Sequence, residues 1–110
     1  MQKYETYDWS QQQTTDSYAT LPRDWTKLMG IHATILVSNV GDHPADVQVL
    51  GSLNGVDYPL NLRYSNAPIA AGAHDTVVLD SYVPHVRIRV KSANSGQATT
   101  IKAQAAAVSG

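Results

Sequence analysis

The chain has 110 residues, which suits one domain, and its formal net charge is −1. It contains no cysteine, which excludes a disulfide framework and a thiolate zinc site. The small net charge and the short apolar runs argue against nucleic-acid and membrane partners, and the polar start of the sequence argues against a signal peptide.

The N-terminal residues 1–28 are polar and sustain no period of 2 or 3.6, so the sequence predicts an extended arm over 1–28. Such an arm is either disordered or docks its aromatic side chains on a neighbouring subunit, and the aromatic content favours docking. The candidate anchors are Tyr4, Tyr7, Trp9 and Trp25. Trp25 is also expected to seal one end of the core of the following domain.

Residues 29–110 alternate apolar and polar side chains, which is the period of a half-buried strand. About six strands are predicted, near residues 31–38, 45–49, 58–64, 77–79, 86–91 and 101–107. Turn residues such as Asn54-Gly55 separate them, and Pro59 indicates that its strand lies at a sheet edge. The prediction is an all-β antiparallel β-sandwich, jelly-roll-like or Ig-like.

Catalytic and metal-binding motifs are absent from the sequence. The four histidines have no paired-ligand spacing, there is no nucleophile elbow, and no Glu follows Glu5. A glycosidase would need two carboxylates facing one cleft, and no such pair is evident. We therefore expect no enzymatic activity, no cofactor and no bound metal.

Three cations, Arg87, Arg89 and Lys91, share one face of the predicted strand at 86–91. This row is either a solvated outer face paired with carboxylates on adjacent strands, or a patch for phosphate or an acidic partner. No aromatic residue interrupts the row in the sequence, which argues against stacking on single-stranded nucleic acid.

The folded part is small and has neither disulfide nor metal, and domains of this size commonly rely on oligomerisation. We therefore predict a homo-oligomer or a subunit that docks on a larger assembly. Leu36, Leu50 and Val78 lie on nominally outward faces and would mark an interface if they clustered.

Two motifs carry a family resemblance: the turn Ser52–Tyr58 (SLNGVDY) and the strand Tyr82–Val90 (YVPHVRIRV). With Ser38–Gly41 and Ile69–Gly72, they resemble small β-sandwich accessory virion proteins of tailed phages and related modules in spore-forming bacteria. The resemblance implies a non-enzymatic virion component: a head decoration, head-fibre, neck or tail accessory subunit, assembled in the host cytoplasm. It also implies symmetric binding, as a trimer or larger ring, to copies of itself and to other virion proteins.

Two other functions stay open at this point. The first is a carbohydrate- or host-surface-binding module, which generally needs exposed aromatic platforms. Tyr58, Tyr64 and Tyr82 are the only aromatics of the predicted sandwich, and the pattern places Tyr58 and Tyr64 in its core. The second is a bacterial surface or spore-associated role.

Overall fold

The computed structural model describes residues 3–21, 32–63, 67–79 and 83–109, with side chains from residue 6 to residue 107 of these ranges. They form eight strands and contain no helix. The strands are β1 (Lys3–Gln13), β2 (Ala19–Thr20), β3 (His32–Asn39), β4 (Ala45–Ser52), β5 (Leu60–Asn61), β6 (His74–Leu79), β7 (His85–Ser92) and β8 (Thr100–Ser109).

The strands form two four-stranded antiparallel sheets. The first sheet has the order β1-β8-β3-β6 and the second sheet has the order β2-β7-β4-β5. This arrangement of eight strands is that of a jelly roll, which settles the choice between the two predicted sandwich types. The predicted fold class is confirmed, and so is the edge position of the strand after Pro59, because β5 is the last strand of its sheet.

The core lies between the sheets and follows the predicted alternation. Strand β7 is the clearest case, because Val86, Ile88 and Val90 are fully buried while the cations between them remain half-exposed. Strands β3, β4 and β8 contribute matching inward rows, which are Ala33, Ile35 and Val37; Ala45, Val47 and Val49; and Ile101, Ala103, Ala105 and Ala107. Each buried Val or Ile side chain stabilises the folded state by about 1.5–3 kcal/mol relative to exposure.

The N-terminal segment is part of the sandwich, so the prediction of a separate arm is wrong for residues 3–21. Strand β1 pairs with β8 from Lys3↔Ser109 to Gln13↔Thr100, with one irregularity between Trp9 and Gln12. Trp9 is 3% exposed and belongs to the core. The polar side chains that hid this strand in the sequence lie on its exposed face, as at Thr6 and Asp8. The predicted boundary at residue 28 lies outside the described residues.

A buried asparagine closes one end of the sandwich. Asn39 ends β3 and is 1% exposed. Its amide nitrogen donates to the carbonyl oxygens of His43 (2.7 Å) and Ile69 (2.9 Å). Its amide oxygen accepts from the Gly41 N–H (3.1 Å) and the Thr99 hydroxyl (2.7 Å). The four bonds use the whole hydrogen-bonding capacity of the side chain and join three loops.

Candidate functional site

The row of cations predicted from the sequence lies on the outer face of the second sheet. We call Arg87, Arg89 and Lys91 the basic strip. In register, these residues stand opposite Leu50, Gln48 and Asp46 of β4. All three are half-buried.

Two tyrosines lie against the basic strip. The guanidinium carbon of Arg87 is 4.1 Å from the ring centroid of Tyr58. That of Arg89 is 5.2 Å from the Tyr18 ring, and the Lys91 ammonium is 5.0 Å from the same ring. These distances are within the range of cation–π attraction. The strip therefore has aromatic neighbours that come from other segments of the chain, and the placement of Tyr58 in the core is wrong.

Local structure explains how both tyrosines reach the strip. Tyr18 immediately precedes β2, which pairs with β7 through Ala19↔Val90 and Thr20↔Arg89, so one more step of the register sets Tyr18 beside Lys91. Tyr58 follows the turn at Asn54-Gly55, where Gly55 has a φ of 76° that favours glycine. This turn returns the chain across the end of β7 toward Arg87.

A groove runs along β4 beside the strip. It has a volume of about 440 Å³, within the range of small-ligand sites. Its lining residues are Tyr18, Asp46, Val47, Gln48, Leu50, Asn61 and Arg63. Asp46 Oδ2 lies 3.7 Å from Lys91 Nζ, and Gln48 Oε1 is buried without a hydrogen-bond partner. The groove therefore offers a tyrosine ring, two amides and one carboxylate to a polar ligand.

Arg63 forms one wall of the groove and is held in place by the fold. Its Nε donates to Asp75 Oδ2 (2.8 Å), Nη1 to the Val47 carbonyl (3.0 Å) and Nη2 to the Ala67 carbonyl (2.7 Å). The side chain is buried, and its guanidinium forms an ion pair with Asp75 of β6. The sequence pattern did not single out Arg63, because nothing local indicates a partner twelve positions later.

Two of the four predicted arm anchors, Tyr7 and Trp9, have side chains that the structure describes. Trp9 is in the core of its own chain rather than on a partner, which corrects that prediction. Tyr7 is half-buried and packs against the core. The backbone of Tyr4 pairs with Val108 in the first sheet, and its side chain lies outside the described set. Trp25, Tyr64 and Tyr82 lie outside the described residues.

The outward apolar residues do not form one cluster. Leu36 and Val78 are on the first sheet and Leu50 is on the second. Leu36 borders a shallow depression of about 460 Å³ on the outer face of the first sheet. Across the described ranges, no three acidic or histidine side chains converge as a metal site requires, and no helix could cross a membrane.

The chain belongs to the family described as a domain of unknown function, DUF6385, whose model matches residues 30–108. The match covers β3 to most of β8 and leaves out β1 and β2. No curated protein matches the sequence.

Solved structures similar to this chain share its fold at low sequence identity. A mitogen from Yersinia pseudotuberculosis is 10% identical, with a TM-score of 0.57 over 97% of this chain and 87% of the mitogen. The K3 cleaved adhesin domain of Lys-gingipain from Porphyromonas gingivalis is 13% identical, with a TM-score of 0.52 over 97% and 91%. A chain of infectious bursal disease virus is 14% identical, with a TM-score of 0.53 over 98% of this chain and 33% of the viral one. At these identities the likenesses show the fold alone.

Proposed function

We propose that this DUF6385 domain is a non-catalytic binding module that recognises carbohydrate in the groove on the outer face of the second sheet. The observation that carries the proposal is the placing of the Tyr18 ring beside the amides of Gln48 and Asn61 in one concave surface. An aromatic ring packs on the apolar face of a sugar, while planar amides exchange hydrogen bonds with its hydroxyls.

A glycan array with purified protein tests the proposal. We expect saturable binding to a subset of glycans, and a loss of about tenfold or more in Tyr18→Ala, because stacking and desolvation at the ring are removed. Asn61→Ala removes an exposed amide from the groove and should weaken binding with little effect on folding. Thr76→Ala, an equally small change on the exposed face of β6, is the control. Absence of binding to every glycan class would refute the proposal.

The second candidate is a structural subunit of a tailed-phage particle, and one loop favours it. Leu53 is 72% exposed and Val56 is 76% exposed in the connection between β4 and β5. Loops with exposed apolar side chains commonly mark protein contacts. In this role the subunit would act as a trimer or larger ring, in a head, neck or tail position of the virion.

The loop is ordered by its own side chains. The Ser52 hydroxyl accepts from the Asn54 and Gly55 N–H groups at 3.2 and 2.9 Å. The Asn54 side-chain oxygen accepts from the Val56 and Asp57 N–H groups at 2.8 and 3.0 Å. Preorganisation of this kind lowers the entropy cost of binding, so the two apolar side chains suit a docking role.

Mass spectrometry of purified particles, with a copy number per particle, tests the second candidate. A double substitution of Leu53 and Val56 by Asp should abolish incorporation while leaving the melting temperature unchanged, because both side chains are exposed. Val78→Asp, at a residue 68% exposed on the first sheet, is the matched control. Normal incorporation of the double variant would refute a docking role for the loop.

A further inference from the structure

We propose that the ligand of the groove is an acidic glycan, and that Arg89 binds its carboxylate or sulfate group. The inference rests on the proposed carbohydrate function and adds the charge of the ligand. It follows from the position of Arg89, from the charges around it and from the chemistry of the groove.

Arg89 lies between two residues that line the groove. In register it stands opposite Gln48 of β4, and its guanidinium packs on the Tyr18 ring at 5.2 Å. A cation–π contact of this kind is an attraction to the ring and gives the N–H donors of the guanidinium no oxygen acceptor. Among the described residues, no carboxylate is paired with Arg89 and no protein acceptor is bonded to its side chain. The N–H donors are therefore available to a ligand, and the fork geometry of a guanidinium matches a carboxylate or sulfate.

The charge of this face differs from that of the whole chain. The basic strip supplies three cations, whereas the outward positions of β4 supply one carboxylate, Asp46, which is paired with Lys91. The complete chain carries a net charge of −1. A positive face on a weakly negative chain attracts anionic groups locally, and it orients an anionic ligand along the strip.

The surrounding groups favour a glycan over a nucleic acid. The groove walls carry amides that suit hydroxyl groups, at Gln48 and Asn61. Nucleic-acid strands bind through stacking on open aromatic faces along a cationic track. Among the lining residues of the groove, Tyr18 is the one aromatic side chain, so the groove lacks the row of stacking platforms that a nucleic-acid strand requires.

Calorimetry with three short oligosaccharides tests the inference: a galacturonate trimer, a sulfated heparin tetrasaccharide and neutral cellotetraose. We expect both acidic ligands to bind about tenfold or more tightly than the neutral one at low salt, and to weaken as salt rises. Arg89→Gln should remove this preference. Arg89→Lys keeps the positive charge but loses the paired N–H donors of the guanidinium, so this variant should retain part of the preference for acidic ligands. Lys102→Gln makes the same change of charge on the exposed face of β8 and should have no effect.

The possible outcomes distinguish failure of the acidic-ligand inference from failure of the proposed carbohydrate binding. Loss of galacturonate binding at a pH below its carboxyl pKa, with heparin binding retained, identifies the carboxylate form of the ligand. Equal affinity for neutral and acidic sugars, unchanged in Arg89→Gln, would refute the acidic ligand and leave carbohydrate binding standing. Binding to none of the sugars would refute the proposed function itself. Tighter binding of a single-stranded oligonucleotide than of any sugar would also overturn the inference.

Discussion

Replacement of Asn39 by Asp removes the two N–H donors of a buried side chain without changing its shape. The carbonyl oxygens of His43 and Ile69, now bonded at 2.7 and 2.9 Å, would face a carboxylate oxygen instead. An unsatisfied buried polar group costs about 1–3 kcal/mol, so two carbonyls predict a loss of about 4 kcal/mol. The free energy of unfolding of a domain is about 5–15 kcal/mol, so the variant should lose between about a quarter and most of its stability at neutral pH.

The sign of the pH dependence distinguishes this explanation from a packing defect. The two carbonyl oxygens and the burial raise the pKa of the introduced carboxyl in the folded state, so folding takes up a proton as the pH falls. Stability of Asn39→Asp should therefore recover partly at acidic pH, because the protonated carboxyl can donate one of the lost bonds. Asn39→Ala also loses the donors but has no group to protonate, so its deficit should stay constant.

Urea unfolding followed by tryptophan fluorescence measures both variants, because Trp9 is buried in the folded state. A wild-type midpoint for Asn39→Asp at neutral pH would refute the reasoning. An equal loss in the Asp and Ala variants at every pH would show that packing, rather than hydrogen bonding, decides the effect.

Three further predictions follow from single contacts. Gly41→Ala should cost about 1–3 kcal/mol in urea unfolding, because a Cβ would lie 2.6 Å from the Thr100 backbone nitrogen. An unchanged midpoint would contradict this and would show that the loop moves to make room for the methyl group. Arg63→Met should cost about 3 kcal/mol, since the Val47 and Ala67 carbonyls lose their donor; Asp75→Asn should cost at least as much, because it leaves the buried guanidinium without its carboxylate, and a wild-type midpoint for Asp75→Asn would contradict this. Hydrogen bonds from the Gly96 N–H and, second, from the Ser95 hydroxyl hold the pKa of Asp16 below its ordinary value of 3.8. The ionised carboxylate therefore stabilises the folded state above pH 3.8, and this contribution is lost as the pH falls through the lowered pKa. Asp16→Asn should be less stable than the wild type in urea unfolding at neutral pH, and the difference should vanish in acid.

The sequence predicts the strands whose two faces differ sharply in polarity. Strand β7 alternates Val86 and Ile88 with Arg87 and Arg89, and the structure buries the first pair and leaves the second half-exposed. Strand β1 escaped prediction because its inward face is carried by aromatic rather than β-branched residues. The remaining signal was the spacing of Tyr7 and Trp9, two residues apart.

The groove could be predicted only in part. The basic strip could be predicted, because its three members occupy alternate positions of one strand. Its tyrosine neighbours come from distant segments: Tyr18 precedes β2, and Tyr58 follows the β4–β5 loop. Nothing in a single sequence states that these segments meet, since the meeting depends on strand order. Functional surfaces on jelly rolls are therefore harder to predict than the strands that support them.

The pairing of β1 with β8 has a consequence for how the protein folds. Lys3 lies beside Ser109, so this pair of strands closes a loop of nearly the whole chain. Contacts this far apart in sequence slow folding, because the entropy of loop closure is lost before the strands pair. During synthesis, β1 must remain without its partner until β8 leaves the ribosome. Shortening the chain at its N-terminus would then leave the backbone groups of β8 and the core around Trp9 open to solvent.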